Sequence, residues 1–212
     1  MDRSGAVVDL SPVIEDRLRA RTNGALMRVA GLIAKTGVTP NTLTVLGFLG
    51  MVVAGILCAS GSFFLAGIVV AASCAFDALD GALARASGAV SVFGAFLDSF
   101  LDRYAEAAVY AGMLIHYAGV GPTWGVGATF AAAIGSLMVS YARARAEGLG
   151  VACRAGLFAR PERIAVIIAG LVTGLVLPAL VVLAVATNAT AARRLLYVRG
   201  ATLPPSRPPR SP

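Results

Sequence analysis

Charge is scarce in this sequence: Asp, Glu, Lys and Arg make up 14% of the 212 residues, against 58% hydrophobic. A soluble domain carries about a quarter of its residues charged, so an ordinary water-soluble globule is excluded and a polytopic membrane protein comes first. Cysteine is also sparse. Cys58, Cys74 and Cys153 are an odd number at unrelated spacings, two of them inside apolar runs, so they suggest neither a disulfide framework nor a zinc site and read as small core residues. The single histidine, His116, falls at the outer end of a long apolar run, where an interfacial place suits it better than catalysis. Acidic residues are outnumbered 11 to 18 by basic ones, for a net charge of +7. The arginines sit beside apolar runs and no DNA- or RNA-binding motif appears, which excludes nucleic acid in favour of a cytoplasmic membrane face and phosphate-bearing ligands. The first 39 residues lack an uninterrupted apolar core, being broken by Asp2, Arg3, Asp9, Glu15, Asp16, Arg17, Arg19, Arg21, Arg28 and Lys35. A signal peptide is thereby excluded, and the N-terminus is expected in the cytoplasm.

Apolar runs are what the sequence has in abundance. Residues 12–35 place Val13, Ile14, Leu18, Leu26, Val29 and Ile33 at helical spacing among arginines, which predicts an amphipathic helix on the membrane surface, with a break at Asn23-Gly24. Thr39-Pro40-Asn41 then opens an apolar run over 42–60, and further runs follow near 62–86, 91–117, 124–148, 161–177 and 179–197. Each is read as crossing a hydrocarbon core of about 30 Å. The expected fold is therefore all-α, with six transmembrane helices preceded by an interfacial helix. The links at 59–61, 118–123 and around Pro178 carry no charge, whereas Arg85, Arg103, Arg143, Arg145, Arg154, Arg160, Arg163, Arg193, Arg194 and Arg199 mark the others. The positive-inside rule puts both termini and every basic cluster in the cytoplasm. Residues 200–212 contain five prolines and are expected to form a disordered tail, leaving 1–39 as a cytoplasmic segment and 40–199 as one domain.

Two of these runs break the rule that lipid-buried helices avoid charge, since they contain Asp77, Asp80, Asp98 and Asp102. A charge at the bilayer centre costs about 2.5 to 3.5 kcal/mol on insertion scales, so such residues face a polar cavity and meet a cation. Spacings of three and four residues put each pair on one helix face. Mutual repulsion would force protons onto some of the four unless divalent cations neutralise them, and all-oxygen ligands suit magnesium, manganese or calcium better than zinc. Gly81, Ala84 and Gly94 let a ligand or a second helix approach, and Arg85 lies close by. This combination describes a site for metal ions and a diphosphate, hence phosphoryl chemistry. The alternatives are polar glue between helices and an ion path through a transporter.

The run Asp77, two residues, Asp80-Gly81, two residues, Ala84-Arg85, eight residues, Gly94, three residues, Asp98, three residues, Asp102 resembles in full the signature of the CDP-alcohol phosphotransferases. Eight fixed positions would match by chance on the order of once in ten million chains of this length, which favours the enzyme over the transporter. The resemblance covers nearly the whole chain between the tails. It implies two divalent cations, Mg2+ or Mn2+, held by Asp77, Asp80, Asp98 and Asp102, with Asp102 also the general base that takes the proton of an acceptor alcohol. It further implies that a CDP-lipid is gripped by Gly81, Arg85, Ser91 and the Pro40-Asn41-Thr42-Leu43 turn. Ser91 equally suits a helix cap.

Ser140-Tyr141-Ala142-Arg143-Ala144-Arg145-Ala146-Glu147 and Arg160-Pro161-Glu162-Arg163 bear on the acceptor. These arginines could be simple membrane anchors. Yet Ser140 and Arg143 lie one turn apart on one helix and Arg163 opens the next, and three convergent donors suit a phosphate on the acceptor. The segments resemble the inositol-phosphate branch of the family, the phosphatidylinositol phosphate and archaetidylinositol phosphate synthases, apart from Arg143, where actinobacterial members carry lysine. That likeness implies acceptor-phosphate binding by Ser140, Arg143, Arg163 and Arg194, transfer from CDP-diacylglycerol to inositol 1-phosphate, and a homodimer in the cell membrane. Glycerol 3-phosphate is the competing acceptor, with Tyr141, Arg145 and Glu147 as supports of the pocket. Glu106, one turn after Asp102, could orient Arg103 or tune the base, but fits an intramembrane salt bridge better. Asn188 begins a glycosylation sequon that has no meaning within a span.

Overall fold

A computed structural model describes residues 24, 26–153, 155–156 and 158–203. Most of the expected surface helix, Arg154 and the tail from 204 onward lie outside the described residues. Residues 26–34 form helix α1, which buries Ala30, half-buries Leu26 and Ile33 at helical spacing, and leaves Met27, Val29 and Leu32 exposed. Gly24 is already helical. Six longer helices follow: α2 (Pro40–Ala59), α3 (Phe63–Ser87), α4 (Val92–Val120), α5 (Thr123–Gly148), α6 (Arg160–Thr173) and α7 (Val176–Thr202). The tail expected from residue 200 therefore begins later, because α7 continues through Thr202.

Local chemistry explains most of the helix ends. Thr39 caps α2: its Oγ1 accepts the Thr42 N–H at 3.2 Å, and Pro40 occupies the first helical position, where no N–H is needed. Gly88 adopts φ +68° after α3, and the Ala89 N–H reaches back to the Ala84 carbonyl at 3.0 Å, closing a Schellman turn. Ser91 then caps α4, its Oγ accepting the Gly94 N–H at 3.0 Å. The α3–α4 link is consequently only a few residues long.

Four helices, α2, α3, α5 and α7, are long and apolar enough to cross a membrane, which makes this a membrane protein. The expected count of six is larger. Helix α6 has only 14 residues, a length of about 21 Å at 1.5 Å per residue, and Gly174 at φ 75° stops it. Helix α4 carries Asp98, Asp102, Arg103 and Glu106 in its first half. Apolar side chains such as Leu49, Val53 and Ile56 on α2, or Phe64, Leu65 and Ile68 on α3, remain exposed, as lipid-facing side chains do.

The chain divides into two compact units, the first holding the chain up to Gly47 together with Cys74–Leu101, the second Phe48–Ser73 and the chain from Asp102 onward. In the first, Ala30, Leu43, Ala82 and Leu83 form a buried cluster with Leu26, Ile33, Val38 and Leu79 packed against it. In the second, α7 packs against α5 and α6. Helices α2 and α4 also meet there at Gly55 and Gly112, where a Cβ on Gly112 would collide with the Gly55 carbonyl. Glycine permits this backbone contact. The Asn188 amide, exposed on α7, donates to the Ala131 carbonyl of α5 at 2.9 Å, so that side chain serves interhelical packing. His116 packs edge-on against Phe63 with ring centroids 4.7 Å apart. Cys58 and Cys153 are buried thiols.

Candidate active site

In the first unit the cap at Thr39 and the tight Gly88–Ser91 link surround a cavity of about 340 Å³, within the range of small-molecule sites. Pro40 and Asn41 line it from the start of α2, Gly81 and Arg85 from α3, and Ser91 from the α4 cap. Ser91 is thus the helix cap that was the alternative for it, and it also lines the cavity. Asp80 and Asp98 supply carboxylates to the lining, and Gly94 adds a wall with no side chain. Thr42 and Leu43 do not line the cavity. Leu43 is 5% exposed and turned into the apolar cluster, while the Thr42 hydroxyl pairs with that of Thr39 at 2.8 Å.

Asp80 is the most enclosed of the signature acids, 7% exposed, and its Oδ2 accepts the Thr44 hydroxyl at 2.7 Å. Thr44 lies one turn after Pro40 and also reaches the Pro40 carbonyl at 3.2 Å. It is a site residue that sequence reasoning missed; a lone hydroxyl inside an apolar run was the available signal. Asp77 and Asp98 both interact electrostatically with Asp80. Among the described residues, no three His, Cys, Asp or Glu side chains converge closely enough to hold an ion as they stand. The donor chemistry, carboxylate oxygens only, fits a hard divalent cation.

Asp102, four residues beyond Asp98 on α4, belongs to the second unit. Its Oδ1 accepts Arg160 Nη2 at 2.7 Å, and Arg103 Nη1 lies 3.7 Å from Oδ2. One turn further, Glu106 takes Arg163 in a bidentate pair: Nε donates to Oε1 and Nη2 to Oε2, both at 2.8 Å. The salt bridge expected of Glu106 thus exists, with Arg163 rather than Arg103 as its partner. Arg163 is 1% exposed and Glu106 6%. Arg163 Nη2 also donates to Ser140 Oγ at 3.3 Å, which brings two of the expected acceptor residues together. Arg194 is buried, donating from Nε to the Ala155 carbonyl at 2.8 Å and from Nη1 to the Val139 carbonyl. It interacts electrostatically with Arg143 and Arg163. Arg143 itself is exposed and paired with Glu147 at 2.8 Å. Arg194 is thus repelled by both other arginines, and an anion beside it would relieve that repulsion. Arg160 was legible only as a membrane anchor.

The helical fold and the acidic signature define a class of membrane phosphotransferase. A family model described as CDP-alcohol phosphatidyltransferase matches residues 37–201, and the chain belongs to that family. Its members are enzymes that move a phosphoalkyl group from a CDP-alcohol. The chain is 43% identical over 152 residues to the archaetidylinositol phosphate synthase of Pyrococcus horikoshii, covering 71% of this chain and 78% of that one. It is 41% identical over 180 residues to the phosphatidylinositol phosphate synthase of Mycobacteroides abscessus, covering 81% and 82%. Crystal structures of the Mycobacterium tuberculosis phosphatidylinositol phosphate synthase superpose at 32% identity. The form with CDP-DAG bound gives a TM-score of 0.77, covering 82% of this chain and 92% of that one. The complex with manganese and citrate gives 0.79, covering 84% and 92%.

Proposed function

We propose that this chain transfers the phosphatidyl group of CDP-diacylglycerol to inositol 1-phosphate, releasing CMP, in the biosynthesis of phospholipid. The observation that carries the reading is the cavity of the first unit, where Asp80 and Asp98 stand beside Asn41, Gly81, Arg85 and Ser91, positions that the family resemblance assigns to metal and CDP-lipid. Kinship with proteins named for inositol phosphate products supports the acceptor.

Asp77, Asp80, Asp98 and Asp102 would hold two divalent cations, Mg2+ or Mn2+. Such cations, when bound, polarise phosphoryl oxygens and offset charge on the leaving phosphate. The protein's own groups do the rest. Pro40, Asn41, Gly81 and Ser91 enclose the cytidine diphosphate, while Thr42, bonded to Thr39, and Leu43, packed in the apolar cluster, hold the turn that carries Pro40 and Asn41. Asp102 accepts the proton of the acceptor hydroxyl. That oxygen then bonds to the lipid-bearing phosphorus as the bond to CMP breaks, and Arg85 donates to the departing phosphate. Ser140, Arg143, Arg163 and Arg194 bind the phosphate already on the acceptor.

The catalytic domain is 40–199, behind an interfacial helix. Six helices meet the bilayer, with α4 and α6 completing the spans and burying Glu106 and Arg163 against each other. The positive-inside distribution supports termini and active site in the cytoplasm. The enzyme works as a homodimer in the cell membrane.

Asp102→Asn tests the assignment of the base. Removing a positioned general base costs about 10²- to 10⁴-fold in rate, so metal-dependent CMP release should fall by at least about 100-fold while CDP-lipid still binds. A variant that releases CMP at the wild-type rate would sink the role.

A further inference from the structure

Glu106 is not explained by the reaction just described. It carries no signature role, yet it is 6% exposed and spends both carboxylate oxygens on Arg163, itself 1% exposed. Stability is a poor reason for such a pair, because the desolvation of two buried ions consumes most of their attraction and well-packed apolar residues serve as well. A bidentate fork does something an apolar contact cannot: it fixes the plane and direction of the guanidinium. Here the fixed plane also sets a second contact, from Arg163 Nη2 to Ser140 Oγ at 3.3 Å.

A buried layer one helical turn away on α4 and α5 holds the same arrangement in register. Tyr110 lies four residues after Glu106, Ser136 four before Ser140, and their hydroxyls are 2.9 Å apart, with each residue 2% exposed. Helices α4, α5 and α6 are thus tied by one polar strip running from Tyr110–Ser136 to Glu106–Arg163–Ser140. Arg194 lies within electrostatic reach of both Arg163 and Arg143. Glu106 is the acid held directly against Arg163, the more deeply buried of this cluster's two buried arginines.

We infer that Glu106 is a positioning residue for acceptor selection: it aims Arg163 and keeps Ser140 beside it, so that the pocket presents a preset pair of donors to a phosphate monoester on the acceptor. Glu106 does not touch the substrate. This rests on the reading that Ser140, Arg143, Arg163 and Arg194 receive the acceptor's phosphate.

The experiment compares wild type, Glu106→Gln, Glu106→Asp and Tyr110→Phe in detergent, measuring KM for inositol 1-phosphate, KM for CDP-diacylglycerol, and inhibition by inorganic phosphate competing with the acceptor. Glu106→Gln is expected to raise the acceptor KM and the phosphate inhibition constant together, by about tenfold, with the CDP-diacylglycerol KM little changed. Glu106→Asp keeps the charge but shortens the reach, and should raise both by a smaller factor; it carries the test if the glutamine variant does not fold. Tyr110→Phe should lower thermal stability without this split. A Glu106 variant that lowers stability or kcat while leaving the acceptor KM and phosphate inhibition at wild-type values overturns the inference. Failure of the underlying reading shows differently: wild type itself would then be insensitive to competing phosphate.

Discussion

At the residue scale, the carboxylates of the signature stand in different surroundings. Asp80 is nearly enclosed and takes a hydroxyl from Thr44, whereas Asp102 is engaged by Arg160. Thr44 therefore has a consequence of its own. Thr44→Val keeps the shape but leaves Asp80 without that donor, and interhelical hydrogen bonds in membrane proteins are worth about 0.6 kcal/mol on average and up to about 1.7. The variant should unfold at a lower temperature in detergent by a corresponding amount. An unchanged midpoint would mean that the Thr44–Asp80 bond contributes nothing. The signature spacing made Asp80, Gly81 and Arg85 legible and the capping preference of serine made Ser91 legible, because helical spacing and a cap are local properties. Thr44 was not legible. Its role depends on the register of α2 against α3, 36 residues apart in sequence, and no local period encodes that register. The partner of Glu106 was hidden for the same reason, lying 57 residues away.

At the element scale, the six long helices were readable from apolar runs broken by Gly and Pro, and their starts differ from expectation by at most a few residues. Their ability to span was less readable. The apolar run at 161–177 continues past Gly174, yet a left-handed residue there ends α6 after 14 residues. Helix crossings were not readable either, since a glycine that admits another backbone looks in sequence like any other. Gly112 is such a position and Gly119, on the same helix, is not, having open space around it. Gly112→Val should destabilise by about 1 to 3 kcal/mol through overpacking, seen as a lower unfolding midpoint and early loss of the monodisperse peak in size-exclusion chromatography. Gly119→Val should behave as wild type. Equal behaviour of the two would contradict the backbone contact of α2 with α4.

At the scale of the whole molecule, the residues assigned to the donor and those assigned to the acceptor fall in different units. Pro40, Asn41, Gly81, Arg85 and Ser91 belong to the first, while Asp102, Ser140, Arg143, Arg163 and Arg194 belong to the second. Helix α4 runs from Asp98 in one to Asp102 in the other. The family was legible because its signature is compact and local. The acceptor was legible only through arginines that also serve as membrane anchors, so the acceptor is where a measurement decides most.

That measurement is CMP release from CDP-diacylglycerol by the detergent-purified protein with magnesium or manganese, with inositol 1-phosphate, inositol and glycerol 3-phosphate offered separately as acceptors. Release stimulated by inositol 1-phosphate alone, and abolished by chelation of the metal, is the predicted result. Stimulation only by glycerol 3-phosphate or by unphosphorylated inositol would contradict the assigned acceptor, and no CMP release with any acceptor would contradict the transfer reaction itself.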